Sequence, residues 1–119
     1  MNHTSYAVIE IFTREEVHWH GTSLSEAIVR LVAHEKTPAR CIVTRGIAGC
    51  FENGEVATHH IVDLSYNMPL KIEVVMPAAE LDQILPRIEE MVTDGVVLVR
   101  EGELRVHRGP GSHDATARA

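Results

Sequence analysis

Four basic side chains and two glycines form the most specific candidate for a binding site in this sequence. The basic residues lie on or beside predicted strands and the glycines flank the start of a long loop: Arg45, Lys71, Arg105, His107, Gly46 and Gly49. Arginine suits bidentate contacts with phosphate, and a glycine backbone can approach an anion closely. The sequence therefore indicates a phosphate-binding site. The alternatives are a solvated strand edge, with Lys71 paired to Glu73, and a turn that needs positive φ at its glycines.

Eight histidines are present in 119 residues, and four of them form two close pairs. These are His18, His20, His59 and His60. In a strand, His-x-His directs both rings to one side, and histidine is a common ligand of zinc-type metals. Nothing in the sequence shows that the two pairs meet. Exposed loop histidines are therefore the favoured interpretation, and a divalent-metal site is the alternative.

Neither the cysteines nor any known catalytic motif indicates a redox or enzymatic function. Cys41 is expected in the core and Cys50 in a loop, without the Cys-x-x-Cys pattern of many redox switches. The sequence has no Gly-x-Ser-x-Gly, Walker or His-Glu-x-x-His motif. We therefore expect a protein that binds rather than an enzyme.

The composition narrows the class of partner and the compartment. The net charge is −6, from 17 acidic and 11 basic residues. This balance argues against a nucleic-acid binder, because phosphate contacts dominate that affinity. No apolar run is long enough to insert into a membrane, no secretion signal is evident, and two cysteines make no extracellular disulfide framework. These features predict a cytoplasmic protein.

The elements that position these residues alternate between strands and helices. Strands are predicted over 6–12, 40–47, 69–76 and 96–100, followed by a tight turn at 101–102 and a short further strand over 103–107. Ser23 and Glu26 form a capping box for a helix over 24–36. A second helix is predicted from Pro77 through an apolar stripe over 81–92, with a kink or break at Pro86. Residues 48–68 form a long loop, with a turn at Asn53-Gly54 and a β arm within 56–64.

This order predicts an α+β fold, a ferredoxin-like βαββαβ sandwich with a long loop between strands 2 and 3 and a short extra C-terminal strand. The domain covers 1–108, and 109–119 is predicted to be a disordered tail. Two helices can cover only one face of the sheet. The strands over 40–47 and 70–76, however, carry apolar residues on both of their faces. We therefore expect the other face to be buried against another subunit.

Three segments of the chain resemble the PII-like signalling superfamily, and most closely its uncharacterised family called domain of unknown function 190. They are 43–49 (VTRGIAG), which is similar to a strand-to-loop signature, 68–75 (MPLKIEVV), similar to the third strand, and 104–109 (LRVHRG), similar to the basic last strand. Their order and spacing are shared as well, and the likeness covers most of the chain.

The resemblance implies a homotrimer that binds adenine nucleotides in clefts between subunits. The long loop then reports the bound state to a partner, often a membrane transporter, without catalysis. Relatives have a glycine- and lysine-rich phosphate loop after the second helix, where this chain has only Thr93-Asp94-Gly95. Because Asp94 would repel phosphate oxygens, AMP or another small adenine nucleotide is expected rather than a triphosphate. The cation-tolerance relatives of the same fold suggest the alternative function, binding of a divalent metal.

Overall fold

The computed structural model describes residues 3–36, 38–58, 67–107 and 109. These residues form eight strands, two α-helices and one 3-10 turn, Ala78–Glu80. The strands are β1 (His3–Arg14), β2 (His18–Trp19), β3 (Thr22–Ser23), β4 (Arg40–Arg45), β5 (Ala48–Cys50), β6 (Val56–Thr58), β7 (Pro69–Pro77) and β8 (Val96–Arg105), and the helices are α1 (Leu24–Glu35) and α2 (Leu81–Met91). The fold class is therefore α+β, as predicted.

The four long strands form one antiparallel sheet in the order β4-β7-β1-β8. β1 lies in the centre and pairs with β7 from Tyr6 to Arg14 and with β8 from His3 to Phe12. The strands β2 and β3, and β5 and β6, form two small hairpins outside this sheet. This arrangement is consistent with the expected ferredoxin-like fold.

The core lies between the helices and one face of the sheet. Every second residue of the central strands points towards the helices, as the period of a strand requires. Ile9, Ile11, Ile72 and Val74 on this face are completely buried, and so is Ile88 of α2. The helices therefore cover one face only.

Helix α1 confirms the prediction from its capping sequence. The Ser23 hydroxyl accepts a hydrogen bond of 3.2 Å from the backbone N–H of Glu26, which satisfies one free donor of the first turn. Helix α2 differs from its prediction, because Pro77 ends β7 and a 3-10 turn precedes the helix. The helix runs unbroken through Pro86.

The predicted short extra C-terminal strand is wrong. No turn occurs at Glu101-Gly102, and β8 continues without interruption to Arg105. The reason is the length of β1, which begins at His3 and offers backbone partners to the whole of β8, with Gly102 opposite Tyr6. The ladder hydrogen bonds outweigh the local turn preference.

The open face is the side of the sheet that the helices leave uncovered. It exposes five large apolar side chains on β1, β4 and β8: Phe12, Ile42, Val96, Leu98 and Leu104. At its centre Glu10 is only 7% exposed and pairs with Arg100 at 3.0 Å and Lys71 at 3.9 Å. The open face is thus apolar around a compensated charge cluster. Its burial against another subunit stays a prediction.

Candidate functional site

A cleft at one end of the open face brings together basic residues from two segments, the start of β4 and the end of β8 with the residues after it. We call it the sheet-end cleft. It has a volume of about 460 Å³, which is within the usual range for sites of small molecules. Its lining residues come from β1, β4, β7 and the end of β8, and they are Tyr6, Pro38, Ala39, Arg40, Val75, Leu104, Arg105, Val106 and His107.

The charge of the sheet-end cleft is opposite to that of the whole chain. Arg40, Arg105 and His107 line it, and no acidic side chain does so among the described residues. Neither arginine side chain has a hydrogen bond or ion pair within the described part of the chain. Tyr6 and Leu104 add apolar surface beside these cations. The cleft can therefore accept an anion attached to a flat apolar group.

The predicted site residues are divided between the two ends of the sheet. Arg105 and His107 line the sheet-end cleft, whereas Arg45 lies at the opposite end, where it pairs with Leu70. Measured along β1, the partners of Arg105 and Leu70 are ten residues apart, about 33 Å. Lys71 lies between them on the open face. Within one chain these residues do not form one site.

Arg45 has a partner of its own. Its Nε donates to Glu15 Oε2 at 2.6 Å, and Glu15 Oε1 accepts a hydrogen bond of 3.0 Å from the backbone N–H of Met68. The Arg45 guanidinium lowers the pKa of Glu15 below its ordinary value. The pair ties the end of β4 to the residues that enter β7, so a phosphate bound by Arg45 would share its guanidinium with Glu15.

Gly46 and Gly49 are explained by close packing. A Cβ atom on either residue would lie 3.0 Å from Cγ of Pro69. Neither glycine has a positive φ, which excludes the turn geometry expected as the alternative. The Gly46 N–H already donates to the Pro69 carbonyl at 2.8 Å. This N–H is therefore occupied rather than directed at an anion.

The described part of the predicted loop contains the hairpin formed by β5 and β6. Its turn is at Asn53-Gly54, as predicted, and Gly54 has a φ of +85°. The Phe51 carbonyl accepts from the Gly54 N–H at 2.8 Å, and the Phe51 N–H donates to the Glu55 carbonyl at 2.9 Å. This is the pattern of a three-residue loop with a glycine bulge. Residues 59–66, which include the rest of the predicted β arm, lie outside the described residues.

Arg14 connects this hairpin to the turn before β8. Its guanidinium lies 4.1 Å from the ring centroid of Phe51 and forms an ion pair of 3.1 Å with Glu55. On the other side it lies 3.5 Å from the Asp94 carboxylate. The Arg14 side chain is only 15% exposed, so these contacts are partly shielded from water. Arg14 therefore helps to hold the hairpin against the body of the domain, beside the packing of Gly49 on Pro69.

The histidines do not share a strand face as the His-x-His pattern suggested. His18 lies in β2, where its Nδ1 is 2.7 Å from the Glu16 carbonyl oxygen, but His20 occupies the turn that follows, with a φ of +49°. Among the described residues, no three His, Cys, Asp or Glu side chains form a group that could hold a metal ion. His59 and His60 lie outside the described residues, so the four-histidine site stays a prediction.

The two cysteines are not linked to each other. Cys41 is half-buried against the core, and burial raises the pKa of its thiol. Cys50 is exposed on the hairpin. The predicted difference in their surroundings is confirmed.

Sequence reasoning missed Arg40 and Tyr6 as parts of the sheet-end cleft. Both were expected in strands, but only the pairing shows that Arg40 lies opposite Val75 and that Tyr6 lies in the strand adjacent to β7. Register between strands distant in sequence is not encoded by a local pattern. Arg108 and the predicted tail beyond Gly109 lie outside the described residues.

None of the described helices is long and apolar enough to cross a membrane.

The comparison with known families identifies the chain. Residues 6–104 match the model of the family described as Uncharacterized ACR, domain of unknown function 190. Because the match covers more than four-fifths of the sequence, the chain belongs to this family. The family expected from the three sequence segments is thereby confirmed.

Proposed function

We propose that this member of the domain of unknown function 190 family is a PII-like regulatory protein that binds a small adenine nucleotide. The observation that supports the proposal most strongly is the pair of unpartnered arginines in the sheet-end cleft. Two guanidinium groups and His107 offer donors to phosphate oxygens. Val75, Leu104 and the Tyr6 ring offer apolar surface for a purine.

The position of the cleft fits a site between subunits. Tyr6, Arg40, Val75 and Leu104 lie on the open face, which also exposes Ile42 and Leu98. A second copy packed on this face would cover the apolar residues and border the cleft. We propose a homotrimer on this basis and on the resemblance to PII-like proteins, in which nucleotides bind between subunits.

The output of the proposed regulator is the hairpin at residues 48–58. Arg14 fixes it to the domain through Phe51 and Glu55. A bound nucleotide would shift the balance between this docked hairpin and an undocked one, and a partner such as a membrane transporter would read the difference. The protein acts in this scheme by binding, without catalysis.

Calorimetric titration tests the nucleotide claim. AMP, ADP, ATP and cyclic dinucleotides are added separately to the folded protein, and AMP is expected to bind. Arg105→Ala should weaken binding about tenfold or more, since a hydrogen bond to a charged group contributes about 1.5–3 kcal/mol. Arg30→Ala is the matched control, because Arg30 lies on α1 and pairs with Glu26. Failure of every nucleotide to bind the wild-type protein would refute the proposal.

Light scattering tests the assembly independently. The expected mass is three times that of the 13.2 kDa chain. A stable monomer at micromolar concentration would contradict the trimer, whereas nucleotide binding by such a monomer would leave the ligand claim standing.

A further inference from the structure

A second cleft lies on the opposite side of the molecule, between the hairpin of β2 and β3 and the two helices. We call it the helix-side cleft. It has a volume of about 540 Å³, and its apolar part includes the nearly buried side chains of Leu31 and Met91. Trp19 and His20 also line it. It shares no lining residue with the sheet-end cleft, so a ligand here would bind at a separate site.

Two aromatic side chains of this cleft stack on each other. Trp19 and His20 stack with ring centroids 4.0 Å apart and an angle of 13° between their planes. Trp19 pairs with Thr22, so His20 and Gly21 form a two-residue turn with φ values of +49° and +82°. Such turns favour asparagine and glycine, and a side chain with a Cβ costs about 1–2 kcal/mol in this conformation. The sequence thus tolerates strain at the residue that stacks on Trp19, a pattern that is concentrated at functional sites.

The polar side chains come from one side of each helix. Arg30 and His34 of α1 and Arg87 and Glu90 of α2 line the cleft. Arg30 pairs with Glu26, and Arg87 pairs across the helices with Glu35. Each carboxylate contacts one terminal nitrogen of its arginine. A guanidinium carries five N–H donors. The carboxylates therefore orient the arginines and leave donors for a further acceptor.

From this combination we infer that the helix-side cleft binds a small aromatic carboxylate. The aromatic ring lies against Trp19 above Leu31 and Met91, and the carboxylate accepts hydrogen bonds from Arg30 and Arg87. Glu90 limits the ligand to one negative charge, because a second anionic group would face this carboxylate. The inference rests on the helix side alone and does not depend on nucleotide binding.

Trp19 provides a direct readout, because it is the only tryptophan of the chain. Its fluorescence is followed while phenylacetate is added at pH 7, with acetate and phenethylamine in parallel titrations. We expect a saturable change with phenylacetate, at least tenfold weaker binding of acetate, which has no ring, and no binding of phenethylamine, which has the opposite charge. No saturable response to phenylacetate, equal binding of acetate, or preference for the amine would each overturn it.

Variants of Arg87 separate binding from folding. Arg87→Gln should weaken phenylacetate binding about tenfold, since it removes the charged donor group. Arg87→Lys keeps the charge opposite Glu35 but loses the planar fork, so an intermediate loss is expected. Arg105→Ala, in the other cleft, should bind phenylacetate as the wild-type protein does. If Arg87→Gln retains its thermal transition and wild-type affinity, the assignment of the carboxylate to this arginine is wrong.

Discussion

The sheet-end cleft and the helix-side cleft contain similar residues but differ in whether their arginines are paired with carboxylates. Each is lined by two arginines, at least one histidine and one large aromatic side chain. On the helix side both arginines are paired with carboxylates of α1, Glu26 and Glu35. At the sheet end, Arg40 and Arg105 have no such partner among the described residues.

The secondary structure explains part of this difference, the pairing of Arg30. On a helix, residue i+4 lies beside residue i, so Glu26 is a natural partner for Arg30. In the sheet the neighbour is set by pairing, and Arg40 and Arg105 lie opposite Val75 and His3. The unpartnered arginines of the sheet-end cleft therefore favour binding of a phosphate group. In the helix-side cleft the arginines are already paired, so the aromatic ring of the ligand is expected to contribute more to its affinity.

The largest effect is expected from breaking the proposed subunit interface, which should abolish ligand binding in the sheet-end cleft but not in the helix-side cleft. Ile42 is 60% exposed on the open face, and Ile42→Asp would place a carboxylate in the proposed subunit interface. Burying an unpaired charge costs several kcal/mol. We expect light scattering to show a monomer and calorimetry to show at least a hundredfold loss of AMP affinity, with phenylacetate binding unchanged.

Val29→Asp is the control for this substitution, because Val29 is an exposed apolar residue of α1. It should leave both the mass and AMP binding unaltered. A trimeric Ile42→Asp protein with full AMP affinity would show that the open face is not the interface.

The salt dependence of ligand affinity should also differ between the two clefts. Raising the ionic strength from 0.05 to 0.5 M shortens the screening length from about 14 to about 4 Å. Unpartnered, exposed arginines attract a phosphate through this screened field, so we expect calorimetry to show about a fivefold loss of AMP affinity. Phenylacetate binding should change less than twofold. Equal salt sensitivity of the two ligands would contradict the electrostatic difference between the clefts.

A smaller effect is expected at Arg14, which connects the hairpin to the sheet. Arg14→Ala removes the contacts with Phe51, Glu55 and Asp94. Together they are expected to contribute about 1–2 kcal/mol to docking of the hairpin. Hydrogen exchange should become about tenfold faster at residues 48–58 and stay unchanged in α1. Unchanged exchange in the hairpin would show that Arg14 does not hold it.

The smallest effect concerns Arg45 at the far end of the sheet. Because the pKa of Glu15 is lowered in the folded protein, the pair contributes stability above the unfolded value of about 4.3 and loses it as the pH falls towards the folded pKa. Arg45→Ala should lower the free energy of unfolding by about 0.5 kcal/mol at pH 7. In denaturant titrations the difference should shrink below about pH 4. A difference that grows on acidification would contradict this sign.

The sequence was most informative where structure depends on near neighbours. The Ser23 cap, the Asn53-Gly54 turn and the buried alternation of β1 and β7 follow from local rules, and each was predicted. The extra C-terminal strand was predicted wrongly because the length of β8 depends on β1, almost a hundred residues earlier in the chain. In the sequence, only the glycine that follows His20 indicates a turn with positive φ at this position.

The candidate site was predictable only in part for the same reason. Arg105 and His107 were identified from the last strand, and the structure brings them together in one cleft. Arg40 was missed because its place beside them depends on strand register. Arg45 was expected near phosphate, but its ion pair joins residues thirty positions apart, a contact that no local pattern encodes.

A crystal structure of the protein grown with saturating AMP would show whether the nucleotide occupies the sheet-end cleft. We expect nucleotide density there, with phosphate oxygens within about 3 Å of Arg40 or Arg105 and the purine against Tyr6 and Leu104. Ordered AMP elsewhere on the molecule, with this cleft empty, would refute the proposed nucleotide site.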